Sequence, residues 1–204
     1  MVSILTTTPL QFGWGNAIGI AGVATERSYQ GKGYAKALLD FVLDRAASDG
    51  EGAAILFAHE TKVYERCGFE LLDHVVRAPI HSDGYSENIG HWELAQVQSA
   101  YAAWSNADVN RLVRDARRWN YWQFVFRDPI PFGGGYATQE GSLCREAVIY
   151  DRMGAWPIPK GTDWYGLRSM VDVVGVPVGQ EKEELLLMGK GLDAVPQMFM
   201  TDQF

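Results

Sequence analysis

The chain has 204 residues, 47% hydrophobic and 21% charged, the composition of an ordinary globular protein of one or two domains. Its formal net charge of −7 argues against a nucleic-acid or anionic-membrane partner. Its two cysteines, Cys67 and Cys144, have neither disulfide nor metal-site spacing, no apolar run reaches membrane-span length and no signal peptide opens the chain, so a reducing, cytoplasmic setting is expected.

Strands are expected over Val2–Thr7 and Ile18–Thr25. A glycine-rich stretch follows, and then a helix over Tyr34–Ser48, with Ala35, Leu38, Leu39, Val42 and Ala46 at helical spacing. Asp49-Gly50-Glu51-Gly52 stops that helix. A short apolar strand, Ala54–Ala58, leads to a short helix over Lys62–Cys67 and a strand over Phe69–Arg77. Ser82-Asp83-Gly84 reads as a loop and as the best domain boundary, dividing the chain into residues 1–80 and 85–204.

Beyond it, a helix is expected over His91–Trp104. Asn106-Ala107-Asp108 then caps a second helix, Val109–Arg118. Strands follow at Tyr121–Arg127, Gly135–Gln139 and Cys144–Asp151, with a loop over 128–134. A helix over Trp164–Val174 and a last strand at Gln197–Met200 complete the reading. Trp119, Tyr121 and Trp122 could line a pocket for a cation, although packing of the second lobe is the simpler role for them. No internal repeat is visible in the sequence.

The chemistry concentrates at the join between the second strand and the long helix. Strand, glycine turn, helix N-terminus is the geometry that holds a pyrophosphate, because backbone N–H groups and the helix dipole both face the anion. Gly31 and Gly33 let the backbone approach, and Lys32 adds a charge. Two phosphate motifs fail here. The P-loop needs Ser or Thr after the lysine, where Gly33 stands, and the dinucleotide fingerprint needs a third glycine where Lys36 stands. What remains is Gln-x-x-Gly-x-Ala, carried by Gln30, Gly33 and Ala35, followed at a distance by Tyr64-x-x-x-Gly68-Phe69.

These two segments, in this order, resemble the acetyl-coenzyme A-binding core of the GNAT superfamily of N-acetyltransferases. The resemblance covers roughly residues 17–72. It implies an α/β fold with a mixed sheet flanked by helices, and a cleft between two splayed strands that takes acetyl-CoA as acyl donor. The layout of residues 85–204 resembles a degenerate second, smaller α+β lobe, as in the two-lobed enhanced-intracellular-survival type. By that resemblance, Val23, Ala24 and Thr25 supply backbone contacts to the pantetheine and thioester. Gln30, Gly31, Lys32, Gly33, Tyr34 and Ala35 hold the pyrophosphate. Tyr64 matches the tyrosine that serves as general acid, and the terminal carboxylate of Phe204 matches the base of the two-lobed type. Glu26 is read as a solvated turn carboxylate, and His59, beside Glu60 just past the strand, as an exposed or structural loop residue, with a proton relay as the alternative.

The resemblance also implies strands and helices ahead of the glycine turn, where this sequence has only about twenty residues. Either the chain is a fragment or late-start version, or another element substitutes; without the missing strands a sheet edge around Ser3–Thr8 would be open to pairing with another chain, a homo-oligomer among the options. The expected activity is transfer of an acetyl group to a small-molecule or peptide amine. The alternative is a non-catalytic acyl-CoA-binding or scaffold module.

Overall fold

The structure, a computed structural model, describes residues 1–82, 90–126, 129–150, 156 and 158–204. In chain order its elements are β1 (Ser3–Phe12), β2 (Gly15–Thr25), α1 (Tyr34–Ser48), β3 (Ala53–Ala58), α2 (Lys62–Glu65), β4 (Glu70–Pro79), α3 (Leu94–Ser105), β5 (Leu112–Val113), α4 (Ala116–Val125), β6 (Ile130–Phe132), β7 (Gly135–Glu140), β8 (Leu143–Ile149), β9 (Asp163–Leu167), α5 (Arg168–Val174) and β10 (Lys182–Lys190). It is a mixed α/β fold, as the sequence predicts. The chain forms two compact units. One is Met1–Asp73 with Leu185–Val195 and Phe204, the other His74–Glu184 with Pro196–Gln203. The expected boundary falls partly on Asp83 and Gly84, outside the described residues.

In the first unit, β1 and β2 form an antiparallel hairpin, β2 and β3 pair in parallel, and β3 pairs antiparallel with β10. Side chains alternate across such a sheet. Ile18, Ile20, Ala54, Leu56, Ala58 and Met188 share one face and pack with Leu39 and Ala46 of α1 into a buried cluster. Full burial of a side chain the size of Leu39 contributes about 1.5–3 kcal/mol. The other face carries Leu10, Ala17, Ile55 and Leu187, also buried.

The β1–β2 register advances two residues on β1, from Thr6 back to Ile4, while β2 advances three, from Ala21 to Ala24. The extra residue is a β-bulge at Gly22, whose φ of 60° suits glycine. A bulge reverses the side-chain parity beyond it. Val23, odd-numbered, therefore joins the even-numbered Ile18 and Ile20 against the α1 cluster.

The second unit repeats the pairing pattern. There β7 and β8 are antiparallel with a bulge, β8 and β9 parallel, and β9 and β4 antiparallel. β6 extends it beyond β7.

Several expectations for this half need correction. Asp108 does not cap a helix; its carboxylate accepts from the backbone N–H of Asn110 at 2.9 Å and closes a turn. The helix starts later, at Ala116, where Asp115 accepts from Arg118 N at 2.8 Å. It runs through Tyr121–Val125, read from sequence as strand. Part of the expected 128–134 loop is β6. The expected helix at Trp164 begins only at Arg168, because Asp163–Leu167 alternate between partly buried and buried positions as a strand. Gln197 forms a single bridge with Arg111, and Met200–Asp202 is one turn of 3-10 helix rather than strand. β10, with its run Leu185-Leu186-Leu187-Met188, was not foreseen. So short an apolar run carries no period that separates strand from helix.

Candidate active site

The glycine turn folds as the sequence predicts, entirely in the first unit. Arg27–Tyr29 makes one 3-10 turn, and α1 opens at Tyr34 with Gly33 as its N-cap. Gly31 and Gly33 have φ of 74° and 83°, values that glycine adopts at no steric cost. A Cβ at either would meet nothing within 4 Å, so open space adjoins both glycines. No side chain caps α1, and no acidic residue sits in its first turn. The first intrahelical bond comes from Ala37 N to Gly33 O. The N–H groups of Tyr34, Ala35 and Lys36 are therefore left for an anion, with the helix dipole behind them.

The loop's long side chains brace it. Gln30 donates to Thr25 O at 3.1 Å, Lys32 donates to Ser28 O at 3.1 Å, and the Lys32 ammonium lies 5.0 Å over the Tyr29 ring. Gln30 thus ties the loop back onto β2, rather than reaching outward.

Val23, Ala24 and Thr25 stand where β2 has left β3. The parallel pairing runs from Ala17–Ala53 to Ile20–Leu56 and stops there. β2 continues to Thr25 and β3 to Ala58, where Phe57 and Ala58 keep the pairing with β10 that runs from Ala54 but no longer pair with β2. The β3-facing edge of residues 21–25 is thereby left without that partner strand, in line with the bulge at Gly22. This opening leaves a free strand edge of the kind to which an extended chain can add.

Tyr64 lies on α2 and packs half-buried against the α1-side cluster, edge-on to Phe69 with ring centroids 6.3 Å apart. The spacing Tyr64-x-x-x-Gly68-Phe69 has a local cause. Gly68, at φ 82°, ends the short helix in the left-handed conformation, and Phe69 then turns into the core with 2% exposure. Lys190 of β10 donates to Cys67 O at 2.8 Å and closes the helix end. Burial, and then the Cys67 thiol, push the Tyr64 phenol above its ordinary value, so it holds its proton at neutral pH.

Phe204 belongs to the first unit although the rest of its segment belongs to the second. Its ring lies against Gly19 and sits 5.6 Å from Phe57. Both partners are odd-numbered positions on the sheet face opposite α1, Gly19 just before the divergence and Phe57 just past it. The structure thus brings the chain's last residue to the place where β2 and β3 separate. Glu26, His59 and Glu60 are exposed; Glu26 contributes its backbone N–H, which extends the sheet by donating to Val2 O at 2.9 Å.

In the second unit, Trp119 and Trp122 do face a cation, but it is the protein's own. The Arg114 guanidinium lies 3.9 Å from the Tyr101 ring, 4.9 Å from Trp119 and 5.9 Å from Trp122. Tyr121 is exposed.

Residues 11–72 match the family model described as an acetyltransferase (GNAT) domain. Over this segment the chain is similar to a GNAT acetyltransferase domain. The matched stretch takes in the hairpin, the glycine turn, α1, β3 and the Tyr64–Phe69 segment. Solved structures share the fold over most of the chain. A GCN5-related N-acetyltransferase from Kribbella flavida matches at 16% identity with a TM-score of 0.63, covering 92% of this chain and 56% of its own. A probable N-acyltransferase from Enterococcus faecalis matches at 14% and 0.66, covering 92% and 58%. Eis1 from Mycobacterium abscessus matches at 15% and 0.59, covering 91% and 61%. The chain therefore spans somewhat over half the length of these structures. No curated relative matches the sequence. Among the described residues, no helix is long and apolar enough to cross a membrane.

Proposed function

We propose that this GNAT-domain chain transfers an acetyl group from acetyl-CoA to a primary amine by direct attack. The observation that carries the reading is the splay of β2 from β3 after Ile20 and Leu56, with the open glycine turn at the head of α1 beside it.

Acetyl-CoA supplies the acetyl group as a thioester. The N–H groups of residues 31–36 would take its pyrophosphate, and the free edge of Val23–Thr25 would hydrogen-bond the pantetheine and polarise the thioester carbonyl. The amine nitrogen forms the new C–N bond as the C–S bond breaks. Tyr64 would give its proton to the departing thiolate, and the Phe204 carboxylate would take the proton that the amine loses. Burial raises the Tyr64 phenol above its ordinary value, so it holds the proton the thiolate needs at pH 7.

The acceptor is a small-molecule or peptide amine. The acidic balance of the chain, −7 overall, suits a cationic one.

Calorimetric titration with acetyl-CoA tests the donor site. Binding by the parent chain should vanish in Gly33→Glu, which puts bulk and negative charge into the turn. A folded parent that does not bind refutes the reading. Thiol release with spermidine and other primary amines separates an enzyme from a binding module. A module binds acetyl-CoA and gives no turnover.

A further inference from the structure

Gly19 stands in the middle of β2, a strand paired on both sides. A glycine there costs strand stability and often marks a close approach by another group. Its φ is not positive, so the backbone does not require glycine. Its neighbours on the strand, Ile18 and Ile20, are β-branched residues that suit the position better. What requires glycine is the chain's own last side chain. A Cβ built at Gly19 would lie 2.6–2.7 Å from Cε1, Cζ and Cδ1 of Phe204, closer than any real contact. Phe57 of β3 borders the same face, its ring tilted 48° to that of Phe204.

The geometry points to Gly19 and Phe57 as positioning residues that form a seat for the Phe204 ring and thereby fix the terminal carboxylate at the splay. The inference rests on Phe204 serving as the base. The Phe204 ring is held between the bare backbone at Gly19 and the tilted ring of Phe57, and the carboxylate is joined to it through Cα and Cβ alone. Seating the ring therefore limits where the carboxylate can go. Misplacing a reacting group by about 1 Å can cost on the order of a hundredfold in rate. An unseated chain end would fray.

The test uses the full chain with 4-fluorophenylalanine at position 204, placed by amber suppression. In the parent, the fluorine resonance should differ from that of the free amino acid. In Gly19→Ala the new methyl group evicts the ring, which can swing out because it is the last residue. The resonance should then move to the free position while the calorimetric affinity for acetyl-CoA stays unchanged. With spermidine as acceptor, kcat should fall about a hundredfold with KM held. Gly19→Ala with Phe204→Leu, which makes room for the methyl group and keeps the carboxylate, should recover part of that loss. Phe57→Leu is the second probe should Gly19→Ala fail to fold, and it should shift the fluorine in the same direction. A resonance unmoved in folded Gly19→Ala overturns the seat. So does a moved resonance with parental kcat. A chain ended at Gln203 separates the two ideas. If that chain keeps full turnover, the base reading itself fails; if it is inactive while Gly19→Ala is fully active, only the seat fails.

Discussion

At Gly31 and Gly33 a substituent would find open space, so the cost of replacing either lies in the backbone. A non-glycine residue held at φ near 80° loses on the order of 1 kcal/mol, and Gly33→Glu adds repulsion toward a phosphate. Tyr64 is governed by different physics. Its phenol is half-buried, and burial raises its pKa above the ordinary 10.0. A group that acts as an acid works below its pKa, so the raised value preserves the proton-donating form throughout pH 7–9. Tyr64→Phe should lower kcat by about 10²–10⁴-fold and leave acetyl-CoA affinity intact by calorimetry. An unchanged kcat would remove Tyr64 from the chemistry and leave it as packing beside Phe69. The chain end offers a sharper probe. Extending Phe204 with a short tag moves the carboxylate away without altering any side chain, and turnover should be lost while donor binding persists.

The secondary elements follow local rules where one signal dominates. α1 begins and ends where sequence predicts, at Tyr34 and Ser48, because Gly33 opens it, the apolar period fills it and Gly50 stops it. The short helix α2 is closed by Gly68, which no other residue type would fit with so little strain. In the stretch 106–126 two aspartates compete for the same role. Asp108 commits its carboxylate to Asn110, whereas Asp115 accepts from Arg118 N and starts α4. The two carry the same side chain, and the outcome depends on the residues C-terminal to each. Asp115→Ala should destabilise the second unit by about 1 kcal/mol, read as a lowered urea midpoint. Asp108→Ala should not fray α4, which far-ultraviolet dichroism would reveal. The strand-like look of Tyr121–Arg127 came from its aromatics, which are common in strands. In the structure Trp119 and Trp122 instead sit one turn apart, three residues along α4, with rings 5.6 Å apart, around Arg114.

At the scale of the molecule, two units carry the same sequence of strand pairings, antiparallel, parallel, antiparallel, and neither is continuous in the chain. The first unit completes its sheet with β10, from near the C-terminus. The second takes in Pro196–Gln203, held by a buried polar network. Arg114 donates to Asp202 at 2.7 and 2.8 Å and to Glu146 at 2.6 and 3.1 Å. Glu146 also accepts from Trp122 at 3.0 Å and from the hydroxyls of Tyr136 and Thr201. Burial drives the Glu146 carboxyl up, but the Arg114 charge and these hydrogen bonds outweigh it and hold it below its ordinary 4.5. A lowered folded-state pKa contributes stability that is complete above 4.5 and is lost as pH falls through the folded value. The urea midpoint should thus be insensitive to Glu146 between pH 7 and 5 and should decline below 4.5. Glu146→Gln should blunt that decline. Arg114→Met leaves buried Glu146 without its cation and Asp202 with Arg118 at 3.9 Å, and it should cost about 3–5 kcal/mol. A loss under about 1 kcal/mol would mean that the carboxylates find other partners or water.

The glycine turn, α1, β3 and the Tyr64–Phe69 segment were legible in the residues, because each depends on conformational needs satisfied within a few positions. Gly31, Gly33 and Gly68 answer to backbone φ, and the apolar spacing of α1 answers to helical period. The family resemblance rests on this local set. Distant pairing was not legible. Nothing in Leu185-Leu186-Leu187-Met188 says that it lies beside β3. Nothing in Arg114 says that it meets Glu146 and Asp202, and nothing in Gly19 says that Phe204 will lie on it. Such contacts join residues up to 185 positions apart, and their energy exists only once the sheet has brought them together. The sequence by itself determined the glycine turn and the helix behind it, because backbone φ and helical period act within a few residues; the tertiary structure decided where β2 and β3 part and that Phe204 lies beside Gly19.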